Sequence, residues 1–442
     1  MAITDDLASF LVNTDFKDIP RETVDNAKDL TIDFIGQALA GTRTGAGKII
    51  MDYTRQAGGT PQASVIGGNL QVPVASATLA NTTLAHSTEL ESVGLKTGPN
   101  TAMAHPVALA LAEKYNLSGK DVLESSILGF EIQGALYEAC PGVAARGWDH
   151  ASVFGVFGAA ATAAKALKLN TEQIKMALSL AASGASGFMR QVGSMTHYLE
   201  FGLVARHGLE AAELVKAGFT AEPDIIEHHK GFAQAFAGEG GYNLDMKLNL
   251  GNPYRMTMVS IKKYPCCYRA HRAIDATLEL MKEHGFSYDD IASAEVDMNL
   301  FDASLMRYSE PNTGGQGRFS MQHTVAMAIL GKAGDVEAFS DDFAMSAKAK
   351  EARGKVKVTI RTDWPPERLA ARTPVTIKLK DGRTFSKDVD APRQATREDF
   401  LSRHRKCSES VLRPEQVERF TNMLYHLEEL EDITNLMTLL RG

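Results

Sequence analysis

The chain has 442 residues, of which 44% are hydrophobic and 23% charged, and its formal net charge is -7. Such a balance fits a globular protein with enough chain for more than one domain, and it excludes disordered or collagen-like polymers. Lysines and arginines are scattered, with no basic run interleaved with aromatics, so nucleic acid is excluded as a partner.

The opening M-A-I-T-D-D-L has no basic region followed by an apolar segment, so no secretory signal is expected. Four cysteines, Cys140, Cys266, Cys267 and Cys407, are too few for a disulfide framework, and a reduced, cytoplasmic setting is expected. Residues 21–41 carry Val24, Ala27, Leu30, Phe34, Ile35 and Leu39 near helical period, with Gly41 expected as C-cap. Further helices are expected at 46–57, 73–88, 101–115, 119–139, 152–168, 171–184, 202–217 and 224–235. The longest apolar stretch, Ala151 to Ala164, is too short to span a bilayer, so no membrane partner is expected. The small residues from Gly155 to Ala166 predict a central helix that its neighbours approach closely.

At Ser260–His271, S-I-K-K-Y-P-C-C-Y-R-A-H, the texture changes. Pro265 removes a backbone donor and pushes Tyr264 out of the α region, which predicts a bend dense in reactive groups. Beyond it follow a helix over 272–284, a strand over 293–300, a helix over 320–331 and an alternating strand over 355–362. Residues 374–380 and 384–389 read as a hairpin around Asp381-Gly382, and 396–406 and 413–440 return to helix. The expected fold is mainly α with an α+β second domain. A discontinuous all-helical domain (1–265 and 396–442) would hold a smaller α/β domain (266–395), with a cleft at their boundary.

Polar groups concentrate in five stretches. Asn81–Pro106 holds His86, Glu89, Glu91 and His105. Arg146–Ser152 holds Asp149 and His150 directly before the small-residue helix, where bound anions are favoured. Arg190–His207 holds Arg190, His197, Tyr198 and Glu200. The bend holds Lys262, Lys263, Tyr264 and Cys267, and Arg318–His323 a cation and a histidine. Singly each has a bland explanation: acidic pairs are usually solvated faces, and lone histidines are more often structural than catalytic. Glycine-rich phosphate motifs, G-x-S-x-G and H-E-x-x-H are absent from the sequence, and no other metal-ligand spacing is present.

Taken in order, these stretches resemble the MmgE/PrpD family over essentially the whole chain. The resemblance rests on A-K-D-L-T-I-D-F-I-G-Q-A-L-A-G from Ala27, N-T-T-L-A-H-S-T-E-L-E, A-H-P, R-G-W-D-H-A-S-V-F-G, G-S-M-T-H, A-R-H-G-L-E-A-A, K-K-Y-P-C-C and R-F-S-M-Q-H. It implies a large helical domain, a smaller α/β domain, a homodimer, and cofactor-independent chemistry on polycarboxylates. Family activities include 2-methylcitrate dehydratase, cis-aconitate decarboxylase and iminodisuccinate epimerase. His105 and Lys262 match the family pattern. The usual D-F-D-D-T appears as Glu89-Leu90-Glu91-Ser92-Val93, the lysine of M-T-K as His197, and the decarboxylase histidine after the bend as Cys267. The glycine-aromatic-histidine motif appears as Gly147-Trp148-Asp149 with His150 one place later, and the tyrosine of F-S-x-x-Y is His323.

These replacements are still ionisable, so a site rebuilt for different chemistry is expected rather than a decayed one. The leading expectation is an epimerase of a polycarboxylate, similar in site character to iminodisuccinate epimerase. Lys262 or Cys267 would serve one face and a histidine the other, His105 first and His197 or His323 as alternatives. Glu89 and Asp149 (or His150) would orient the histidines, and Lys263, Arg190, Arg318, Tyr264 and His86 would hold substrate. Dehydration or decarboxylation of a citrate-like acid is the alternative, and a non-catalytic carboxylate-binding dimer the alternative of another class. Lys262→Ala and Cys267→Ala are each expected to abolish turnover without disturbing the fold.

Overall fold

A computed structural model describes residues 2–94, 98–99, 103–367 and 371–442. Buried apolar side chains gather in two main clusters. One draws on residues from Ile3 to Met256 and again from Phe400 to Leu440. The other draws on Tyr264 to Val389.

The first cluster is built almost wholly from helices. The helix His150–Ala166 lies at its centre, buried on all sides except at His150 and Lys165. Its neighbours come close because they lack side-chain bulk at the contacts. A Cβ on Gly129, in the helix Gly119–Ala139, would lie 1.9 Å from the Thr162 hydroxyl, and one on Gly208 would lie 2.5 Å from the Val156 carbonyl. Gly41 works the same way. It is the last residue of the helix Arg21–Gly41 rather than its cap, and a Cβ there would meet the Leu84 carbonyl oxygen at 2.0 Å. Gly41→Ala should therefore cost about 2 kcal/mol or more of stability in urea titration, since backbone cannot yield as a side chain can. An unchanged midpoint would show that the helix Val74–His86 shifts freely.

Four expected elements differ markedly from those observed. The helix expected at 202–217 begins at Met195. Of 224–235 only the end is helical, in Phe232–Ala237. Gly231, where a Cβ would lie 1.9 Å from the Ile225 carbonyl oxygen, lets the chain fold back so that Phe232 N–H donates to that oxygen. The stretch 413–440 breaks into Pro414–Tyr425, a short turn and Thr434–Leu439. The helix expected from 101 starts at Ala104, and residues 101 and 102 lie outside the described residues.

The second cluster packs helices against a four-stranded mixed sheet. Ile291–Met298 is central, parallel to Val356–Ile360 and antiparallel to Val375–Leu379, which pairs in turn with Thr384–Lys387. The Asp381-Gly382 hairpin is present, with Gly382 at φ +92°. Among the described residues no helix is long and apolar enough to cross a membrane.

One small sheet positions the site. Val93–Gly94 pairs antiparallel with Val259–Ser260, in the register Val93↔Ser260 and Gly94↔Val259. Two residues further out on each chain, that register sets Glu91 facing Lys262. The acidic loop after the helix Val74–His86 and the bend at 260–271 are thereby locked together.

Candidate active site

Lys262 is the hub. Only 3% exposed, its ammonium donates to Glu91 Oε1 at 2.8 Å and to the Glu89 carbonyl at 2.9 Å, with Glu89 Oε2 at 3.5 Å. Burial would lower its pKa, but Glu91 and Glu89 outweigh that and hold it above the ordinary lysine range. Glu91, burial notwithstanding, is held well below the ordinary range by Lys262 and by His86, whose Nδ1 lies 3.2 Å from Glu91 Oε2. Glu89 reaches its place through a left-handed backbone, φ +56°, which a non-glycine residue adopts at a cost met by the surrounding contacts.

Beyond Glu89 stands His197, on the first turn of the helix Met195–Lys216. Its Nε2 lies 3.5 Å from Glu89 Oε1 and its Nδ1 3.3 Å from Asp149 Oδ2. Burial alone would lower its pKa, but the two carboxylates raise it to about 10, so the ring is an imidazolium at neutral pH. Burial alone would raise the pKa of Asp149, the N-cap of the central helix, but the hydrogen bond and charge of His197 outweigh that and hold it at about 2. Glu200, next to this pair, is pushed up to about 7 by burial, and the Phe188 N–H donates to its Oε1. His86 stacks on Phe201 with ring centroids 3.5 Å apart and meets the His197 ring edge-on.

The bend itself is fixed from the second cluster. Arg318 donates to the Pro265 carbonyl at 2.7 Å and to the Thr88 carbonyl, and the Arg318 carbonyl accepts from the Cys267 N–H. The half-buried Cys267 thiol is pushed up to about 11 by burial, so it stays protonated at neutral pH. Sequence reasoning missed Arg403, on the helix Arg397–Glu409, which donates to the Lys262 carbonyl and to Asp33. Burial, opposed by Arg403, leaves Asp33 at about 6.

Of these groups Lys262, Arg318 and Arg403 line a cleft of about 1540 Å³ between the two clusters, and His197, Glu89, Glu91 and Asp149 lie behind its wall. Its wall includes Ser87, Ser194, Tyr198, Lys262, Arg318 and Arg403. Lys263 and Tyr264 also face it, although the Tyr264 hydroxyl donates to Asp275 at 2.7 Å and the Lys263 ammonium lies 3.7 Å from the same carboxylate.

Other candidates lie elsewhere. His105 is fully buried beside Phe34 and bonded through Nδ1 to Thr31, and burial drives it down to about 3, so it is neutral. His323 lies in the second core between the Ala338 carbonyl and Arg353, pushed down to about 4 by burial. Arg190 is exposed, and its carbonyl accepts from Arg307. His150 points toward Tyr137, so Asp149 occupies the position next to His197. Ligand-type atoms of His86, Glu89 and His197, and of Asp149, His197 and Glu200, come within 4.8 Å of one another, and a cation there would displace the proton on His197.

A family model described as the MmgE/PrpD N-terminal domain matches residues 5–245, and one described as the C-terminal domain matches residues 264–429. The chain is 24% identical to the cis-aconitate decarboxylase of Homo sapiens over 461 residues, spanning 100% of this chain and 95% of that protein. It is also 24% identical to that of Mus musculus, across 100% of this chain and 94% of the relative. To that of Aspergillus terreus the identity is again 24%, across 99% of this chain and 96% of the relative.

Proposed function

The chain belongs to the MmgE/PrpD family, and on that premise we propose that it is a lyase that decarboxylates a small polycarboxylate by proton delivery from His197. The observation that carries this reading is the protonation of the cluster. Of the groups expected to act as bases, Lys262, His197 and Cys267 are held protonated at neutral pH, whereas His105 and His323 are neutral and buried in the cores. Decarboxylation asks for that state: cations to hold carboxylates and developing charge, and an acid to protonate carbon. Curated relatives that span the whole chain carry the name of such an enzyme, whereas nothing among them favours an epimerase.

In the proposed reaction the substrate's carboxylates lie against Lys262, Lys263 and Arg318. The bond to the departing carboxylate breaks, carbon dioxide leaves, and the electron pair stays on a carbon conjugated with a neighbouring unsaturated group. His197 delivers its proton to that carbon. The imidazole left between Glu89 and Asp149 is then strongly basic and takes a proton back from solvent, with Glu200, at about 7, placed to pass it. Only side chains of this chain are used.

Epimerisation remains a second reading on one observation. Glu89 Oε1 is buried without a hydrogen-bond partner among the described residues and faces His197, so Glu89 could remove a proton that His197 returns. Proton NMR in heavy water with cis-aconitate, citrate, 2-methylcitrate and iminodisuccinate separates the two. The expected result is carbon dioxide release from a tricarboxylate with one deuterium on the carbon that lost it. Exchange with interconversion of stereoisomers and no carbon dioxide would replace the lyase by an epimerase. Ligand-induced thermal protection with no reaction in any acid would leave a binding protein.

A further inference from the structure

His197 and Glu200 stand three residues apart on the helix Met195–Lys216, which puts both on one face, and Asp149 meets them from the start of the central helix. Backbone fixes one oxygen of each carboxylate. Asp149 Oδ1 accepts from the Ala151 N–H at 3.0 Å, and Glu200 Oε1 from the Phe188 N–H at 3.0 Å. The other two oxygens are left for a further partner. Asp149 Oδ2 stands 3.3 Å from His197 Nδ1. Glu200 Oε2 has no hydrogen-bond partner among the described residues although Glu200 is only 6% exposed, which is costly unless a ligand completes it. Two ligands bound to one ion at about 2.0–2.1 Å and at the tetrahedral angle stand about 3.3–3.4 Å apart, matching Asp149 Oδ2 and His197 Nδ1. Glu200 reaches within 4.8 Å of both residues and has three side-chain torsions with which to close that gap. His197 is oriented as metal-bound histidines are: with Nδ1 toward Asp149, its Nε2 faces the Glu89 carboxylate at 3.5 Å, which would keep the N–H on that nitrogen. Three buried carboxylates, Asp149, Glu89 and Glu200, converge on this one imidazole, and a divalent ion offsets their charge more fully than a single proton does.

We propose that Asp149, His197 and Glu200 form a binding site for a divalent first-row transition ion such as zinc, with Glu89 behind His197, and that the bound ion silences turnover. An imidazole among carboxylates suits such an ion better than magnesium or calcium, which take oxygen ligands. Water would complete the coordination. Binding exchanges the proton on His197 for the ion, so the loaded protein has no acid to deliver to carbon, and the reaction proposed above belongs to the metal-free protein. The route in runs beside Phe188, which is 52% exposed while its N–H touches Glu200. The binding is independent of the lyase reading, and the loss of turnover rests on it.

Equilibrium dialysis of the intact, chelator-treated protein against zinc, read by metal analysis with no substrate present, tests the site. The expected result is one zinc per chain, held at least about a hundredfold more tightly than magnesium. His197→Gln should weaken zinc by about a hundredfold, and Glu200→Gln and Glu89→Gln by about tenfold each. Glu200→Gln keeps the test standing if His197→Gln does not fold, because a glutamine carbonyl still accepts from the Phe188 N–H. Glutamine at both of the exposed neighbours His228 and His229 should leave zinc binding unchanged. Cobalt in place of zinc should show the visible bands of a four-coordinate ion and no thiolate charge-transfer band in the near ultraviolet. A thiolate band would put the ion at Cys266 and Cys267 and overturn the site. So would the absence of saturable binding, zinc affinity that survives both His197→Gln and Glu200→Gln, or its loss with His228 and His229. Turnover of cis-aconitate should fall in proportion to the zinc bound. Undiminished turnover in the fully loaded protein would overturn the silencing, and the role of His197 as acid with it, while leaving the site in place.

Discussion

Lys262→Met is expected to lower kcat/KM by about a thousandfold and, contrary to the expectation from sequence, to destabilise the fold as well. The activity term is that of removing a preorganised cation beside developing negative charge. The stability term follows from burial. Lys262 is 3% exposed and pairs with Glu91, 6% exposed, so the variant strands a carboxylate away from water. Removing one partner of a buried pair costs about 3–5 kcal/mol, much of it the desolvation of the survivor. The double variant Lys262→Met/Glu91→Gln separates the two effects. It should regain much of the lost stability, since no unpaired charge stays behind, and none of the activity. A single variant as stable as wild type would show that the ion pair adds nothing to the fold. A single variant with full turnover would remove Lys262 from the chemistry.

How much of this was legible depended on whether a residue's role is written locally. The segments that carry Lys262, Glu89, Asp149 and His197 are short polar runs in otherwise apolar surroundings, and the order of those runs pointed to the family. Their mutual positions were not readable. The pairing of Val93–Gly94 with Val259–Ser260 involves two residues on each side, too few to show any periodicity, yet it sets Glu91 against Lys262. The start of the helix Met195–Lys216 was hidden for a related reason. Its first turns carry Thr196, His197, Tyr198 and Glu200, and the last three are buried because they form the site, so the polar pattern there misreports the buried face. His105 and His323 show the converse: residue type suggested chemistry, while packing against Phe34 and Phe339 makes them neutral core groups. Arg403 lies on a charged C-terminal helix that reads as a solvated face, and only its packing brings it to the Lys262 carbonyl.

The proton donor makes the sharpest demand on experiment. With His197 held at about 10, the rate of a reaction that uses it as acid should stay level from neutral pH upward and fall only as pH passes about 10. Asp149→Asn removes one of the two carboxylates that hold the proton, so the alkaline fall should move down toward the ordinary histidine value of 6.5, with the neutral-pH rate reduced by the fraction deprotonated. His197→Gln should lower kcat by about a hundred- to ten-thousandfold at every pH and abolish the limb. Stability follows the same sign. The folded-state pKa of His197 lies above its ordinary value, so its contribution is complete below about 6.5 and is lost as pH rises through about 10. Asp149 is depressed, so its contribution is present above 3.8 and is lost as pH falls through about 2. Between those limits the pair holds its charges, and the thermal midpoint of wild type should exceed that of Asp149→Asn most clearly there. An alkaline limb that does not move in Asp149→Asn would mean that another group delivers the proton, and Cys267, at about 11, would be next to test.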